Sequence, residues 1–159
     1  MSEAGRRIVA IIVAVLMLGG FAVAIIYNAV FTPRNRARVD ATLFQPYYAA
    51  IAAGRIDEAW ERYTTARYKR LHPLPSFREH WQSTLSSKGA IVDKQLYSAN
   101  STYELFTGRT SYAVVYHLKL ERDFFTLQYT VRQEEDGALR IDYAAYQRQG
   151  VPLAEPQPF

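Results

Sequence analysis

Hydrophobic and polar positions divide the chain into three stretches with different periods. From Ile8 to Phe31 there is no period at all: apart from Asn28, every residue is apolar or Gly, and none is charged. As a helix this run of 24 residues extends about 36 Å, against about 30 Å of bilayer hydrocarbon. A transmembrane anchor at residues 8–31 is the expectation, behind a short tail at 1–7. The competing reading is a cleaved signal peptide, since Ala22-Val23-Ala24 has the small-x-small pattern of a cut site. The apolar run nevertheless continues through Ile25, Ile26 and Tyr27, where a mature chain would turn polar.

After Pro33 the period becomes helical. A basic juxtamembrane linker, residues 32–38, leads to a first helix over Val39–Ala53, with Leu43, Phe44, Tyr47 and Ile51 on one side. Pro46 either kinks this helix or begins a new one, and Gly54 ends it. A second helix over Ile56–Leu71 places Ile56, Ala59, Trp60, Tyr63 and Ala66 inward. His72-Pro73-Leu74-Pro75 breaks the chain. Ser76, with Glu79 three residues on, predicts a capping box opening a third helix, whose inner side carries Phe77, Trp81 and Leu85.

From Ala90 the period is two. Ile91–Ser98 and Thr102–Thr107 read as strands separated by Ala99-Asn100-Ser101. Tyr112, Val114, Tyr116, Leu118 and Leu120 alternate in the next strand, and Phe125, Leu127, Tyr129 and Val131 in the one after. Glu134-Glu135-Asp136-Gly137 supplies a hairpin turn, and Leu139, Ile141, Tyr143 and Ala145 share the inner side of the last strand. The domain therefore spans residues 39–149, and the Pro-rich stretch 150–159 reads as a loose extended tail.

Helices followed by an antiparallel meander define an α+β domain: about three helices on a curved antiparallel sheet of four to five strands. This order, with the stretch Tyr48-Ala49-Ala50-Ile51-Ala52-Ala53-Gly54-Arg55-Ile56-Asp57-Glu58-Ala59-Trp60, resembles the nuclear-transport-factor-2-like superfamily of cone-shaped, cystatin-like α+β domains. The same stretch also looks like half a tetratricopeptide unit, but no second copy follows. The superfamily resemblance implies a concave pocket between sheet and helices, used in different members for small-molecule chemistry, for ligand or peptide binding, or as a partner surface.

Composition and charge narrow the chemistry. The chain has no cysteine, which excludes disulfides, a thiol nucleophile and thiolate zinc sites. The net charge is +4, but the basic residues are spread along the domain without the concentrated stripe that a nucleic-acid groove needs. Arg6 and Arg7 on one side of the apolar run balance Arg34, Arg36 and Arg38 on the other, so the positive-inside rule does not fix the orientation. The usual arrangement of a signal anchor puts the domain outside the cytoplasm. These five arginines are the membrane-interface candidates; Arg34–Arg38 read first as interfacial anchors and alternatively as headgroup ligands, each contributing about 1 kcal/mol near an anionic surface.

No nucleophile elbow, phosphate loop or metal-ligand spacing is present. Cofactors and metals are not expected. Of the histidines, His72 reads as solvated in its Pro-rich turn, His117 points away from the apolar face, and His80 lies beside the Phe77–Trp81 face within reach of a pocket. Tyrosine is the unusual feature, with 12 in the chain. Tyr112, Tyr116, Tyr129 and Tyr143, with His80 and Trp81, are the pocket candidates; packing is the plainer account of the tyrosines. Lys119, Glu121 and Asp142 fall in the outward register, so no ionisable group is expected inside from the three clearest strands.

The expectation is a membrane-anchored, non-enzymatic binding or assembly subunit of an envelope complex. Its partners would be the membrane, a protein or a second copy, with a small apolar ligand as a further option. The alternative is an isomerase- or dehydratase-like enzyme using the cone pocket. The anchor has a direct test. Full-length protein should resist alkaline carbonate extraction and keep its N-terminus; a soluble form beginning near Ile25 would establish cleavage instead.

Overall fold

The change of period at Ala90 is the point where helices give way to sheet in the computed structural model, which describes residues 32–104, 109–147 and 157–158. The apolar run at 8–31 lies outside the described residues. Among the described residues no helix is long and apolar enough to cross a membrane.

The basic stretch expected as a linker is helical: α1 covers Thr32–Val39. It runs into one wide turn of π-helix at Asp40–Phe44, where the Gln45 N–H donates to the Asp40 carbonyl five residues back. Pro46 explains the interruption, since it has no N–H to offer Thr42. It sits in the first turn of the fresh helix α2, Gln45–Ala52. The expected inner face of Leu43, Phe44, Tyr47 and Ile51 is buried, and Tyr48 joins it. Gly54, at φ +74°, then turns the chain in the left-handed region that glycine enters without strain.

The single helix expected over Ile56–Leu71 is two: α3, Ile56–Tyr63, and α4, Ala66–Leu71. The break falls at Thr64-Thr65. Thr64 pairs with Ile141 of the sheet, the Thr65 N–H donates to the Ile141 carbonyl at 2.9 Å, and the Thr65 hydroxyl caps α4 by accepting from the Tyr68 N–H. The new start rotates the second half, so Ala66 is exposed and Tyr68 is buried. Helix α5, Leu74–Lys88, begins two residues before the expected Ser76 and has no side-chain cap. Pro75 occupies its first turn, where a missing N–H costs nothing. Gly89 ends it.

Four long strands follow in the order β1 (Ile91–Glu104), β2 (Arg109–Leu120), β3 (Phe124–Gln133) and β4 (Leu139–Gln147), all antiparallel. The two short strands expected before Tyr112 are one: Ala99, Asn100 and Ser101 pair without interruption against Val114, Ala113 and Tyr112. Bulges at Val92 and Tyr97 each add one residue to this long strand. The β3–β4 turn is the expected one, closed by the Gly137 N–H on the Glu134 carbonyl. Part of the expected loose tail pairs as well: Gln157–Pro158, β5, lies against β4.

Tyr112, Val114, Tyr116, Leu118 and Leu120 of β2, with Leu127, Tyr129 and Val131 of β3, are all buried in the core they share with the helices. The last strand departs from the expected alternation. Thr130 faces Tyr143 and Val131 faces Ile141, so Asp142 is the extra residue of a bulge. Before the bulge Ile141 points inward; after it Ala144 does, opposite Tyr129, and Tyr143 is turned to the outer face. Asp142, expected to be solvated, is 1% exposed.

The two tryptophans differ. Trp81 is 5% exposed inside the core, whereas Trp60, also expected to be buried, is half-buried at its margin with its indole N–H donated to the His72 carbonyl at 2.8 Å. Trp81→Ala should therefore cost about 3–5 kcal/mol in chemical denaturation. Trp60→Phe should cost about 1 kcal/mol, the worth of one hydrogen bond. Equal losses in the two variants would contradict this packing.

Candidate functional site

The helix-facing side of the sheet meets an aromatic layer. Phe44 packs on the rings of Tyr116 and Tyr129 at 4.8 and 4.9 Å, and Tyr48 stacks on Tyr116 at 5.0 Å. Trp81 of α5 stands edge-on to Tyr48 at 6.1 Å and to Tyr47 at 6.5 Å. Such offset and edge contacts are the favoured geometry for π-systems. The hydroxyls are satisfied in place: Tyr48 and Tyr129 share a hydrogen bond at 2.6 Å, and Tyr116 donates to Asp40 of the π turn at 3.1 Å. Burial pushes the phenols of Tyr47, Tyr48, Tyr68 and Tyr129 well up, and Tyr116 is raised by burial and then by the Asp40 charge. All of them keep their protons at neutral pH.

Between α4, α5 and the sheet this layer leaves a cavity of about 50 Å³, lined in part by Tyr47, Tyr68, Tyr129, Trp81, His72 and His80. His72 is brought here by the α4–α5 connection. It is buried, not solvated as expected, with its ring 4.5 Å from that of Tyr68. His80 lies beside Trp81 at 5.6 Å. Burial lowers the pKa of both, and the neighbouring His72 lowers His80 further. Burial thus favours the neutral form of both imidazoles.

Of the pocket candidates, Tyr129, His80 and Trp81 are brought together at this cavity. Tyr116 belongs to the same aromatic layer, bound to Asp40. Tyr112 is buried on the inner face opposite Val131, and Tyr143 is on the other side of the sheet. Sequence reasoning missed Tyr68 and His72 because the helix break that places them leaves no mark on the hydrophobic period. Among the arginines expected at the membrane interface, Arg36 donates to the Leu96 carbonyl at 3.0 Å, beside the Tyr97 bulge, Arg34 and Arg38 are exposed, and Arg6 and Arg7 lie outside the described residues.

A buried carboxylate is also present. Asp142 accepts from the Thr65 hydroxyl at 2.8 Å and pairs with Arg67 at 3.0 Å and Arg132 at 3.4 Å. It is not among the residues lining the cavity. On the outer face Tyr97 stacks on His117 at 5.0 Å and Phe124 meets the same imidazole edge-on at 5.3 Å. This makes an aromatic strip in which Tyr97 and Phe124 are exposed. Among the described residues no group of three or more His, Asp or Glu side chains could hold a metal ion.

Comparison of the sequence with known protein families and with curated proteins finds no match.

The two neutral histidines make stability depend on pH. The unfolded chain takes up protons near the ordinary value of 6.5, and the folded chain does so only at lower pH. Their stabilising contribution is complete above about pH 6.5 and is lost as pH falls towards the folded values. The denaturation midpoint should fall between pH 7.5 and pH 5.5, and the double substitution His72→Gln with His80→Gln should flatten that dependence. An unchanged slope in the double variant would contradict the assignment.

Proposed function

We propose that this chain is a membrane-anchored binding or assembly subunit of an envelope protein complex, built on a cone-shaped domain of the nuclear-transport-factor-2-like kind and working by contact, without turnover. The observation that carries the reading is the small size of the cavity beside the histidines. Pockets for small organic ligands enclose about 300–1,000 Å³, whereas the cavity where His80, Trp81 and Tyr129 meet is about 50 Å³. That is room for a water molecule or two at about 30 Å³ each. The exposed aromatic strip of Tyr97, His117 and Phe124 favours a protein partner, since aromatic residues are enriched in interfaces. The apolar run at 8–31 supports the anchor, with the domain outside the cytoplasm.

The enzyme reading has one observation in its favour. Two histidines and three tyrosines converge on one cavity, the residue types that move protons. Against it stand the lack of room and the buried carboxylate, Asp142, being held away by Thr65, Arg67 and Arg132.

Photo-crosslinking in cells from the full-length chain separates the two. With the reactive residue at Tyr97 or Phe124, a discrete adduct to one protein, or to a second copy, is expected. The same chain in micelles should show no saturable change in Trp81 fluorescence with small apolar molecules. A one-to-one ligand that quenches Trp81 and is turned over, with turnover lost in His80→Gln, would replace this proposal with the enzyme.

A further inference from the structure

A second concavity lies away from the aromatic layer. It is a groove of about 550 Å³ between α1 with its π turn, the end of α3 and the β3–β4 hairpin. Three arginines from three separate elements line it: Arg38, Arg62 and Arg140. We propose that this groove is a binding site for a phosphate ester, either the headgroup of an anionic lipid or a soluble ester of the same chemistry.

Three arginines line one groove, and an anion seated there would offset the part of their charge that is not already paired. The lining contains one carboxylate, Glu61, and that is paired with Lys69 at 3.0 Å. Arg62 and Arg140 are each held by a carboxylate outside the lining, Glu58 at 2.9 Å and Asp136 at 2.8 Å. A guanidinium has five N–H donors, so one such pair fixes its orientation and leaves donors for a ligand. Arg38 makes no ion pair among the described residues. Arginine forks match the oxygens of a phosphate group in geometry as well as charge. Tyr63 and Leu139 add a partly apolar floor on which the ester's carbon backbone can lie. Along the chain, Arg38 follows the apolar run by about 10 Å of helix, which makes a lipid headgroup the nearer source.

The test uses the full-length chain in uncharged detergent micelles, titrated separately with inorganic phosphate, glycerol 1-phosphate, and micelles doped with phosphatidylglycerol or phosphatidylcholine. The readout is saturable thermal stabilisation. The combined substitution Arg38→Gln, Arg62→Gln, Arg140→Gln should weaken binding at least about 10-fold, since charge-assisted contacts are the strong ones. A control with the same loss of charge elsewhere, Arg78→Gln, Lys119→Gln, Arg122→Gln, should weaken it less than about 2-fold, as expected for screened, distant charges. Arg38→Gln alone, at an exposed position without an ion pair, serves if the triple variant does not fold, and it should weaken binding by about 3-fold or more. Saturable binding of phosphatidylglycerol alone supports the site with a lipid source, and binding of glycerol 1-phosphate or phosphate as well supports it with a soluble one. Absence of saturable binding by every probe, or equal weakening by the groove and control variants, overturns it.

Discussion

The buried carboxylate of Asp142 ties the helical half of this domain to its sheet. A charge taken out of water costs several kcal/mol unless it is paired and hydrogen-bonded, and the chain meets that cost from two directions. Arg132 comes from the neighbouring strand, while Thr65 and Arg67 come from the helical half. Bringing Thr65 to the sheet requires the helix to stop at Tyr63, and the freed backbone of Thr64 and Thr65 bonds to Ile141, next to Asp142 itself. The restart at Ala66 then aims Tyr68 inward and delivers His72 to the cavity. The same bulge turns Tyr143 away and presents Ala144 to Tyr129.

The aromatic layer obeys a related rule on a smaller scale. A buried tyrosine contributes a large apolar area only if its hydroxyl finds a partner. Tyr48 and Tyr129 partner each other across helix and sheet, and Tyr116 uses Asp40, which the π turn brings into reach. Rings that satisfy one another in this way pack closely and leave a cavity of about 50 Å³ beside the histidines. Outside this layer lie the Tyr97–His117–Phe124 strip on the outer face and the arginine-lined groove beside the β3–β4 hairpin.

The sequence by itself determined the α+β class, the change of period at Ala90, the inner faces of β2 and β3, the Asp136-Gly137 hairpin and the burial of Phe77 and Trp81. Each follows from local periodicity or turn chemistry, which needs only neighbours along the chain. Three of the pocket candidates, His80, Trp81 and Tyr129, line the small cavity. Tertiary structure alone decided the rest. A bulge inserts one residue without breaking the hydrophobic pattern, so the inward turn of Asp142 and the outward turn of Tyr143 could not be read from alternation. The break at Thr64-Thr65 was equally hidden, because the hydrogen bonds that tie it to the sheet go to residues more than seventy positions away. His72 is buried and Arg38, Arg62 and Arg140 share one groove for the same physical reason: burial and convergence of charge are properties of packed neighbours, which exist only after the chain has folded.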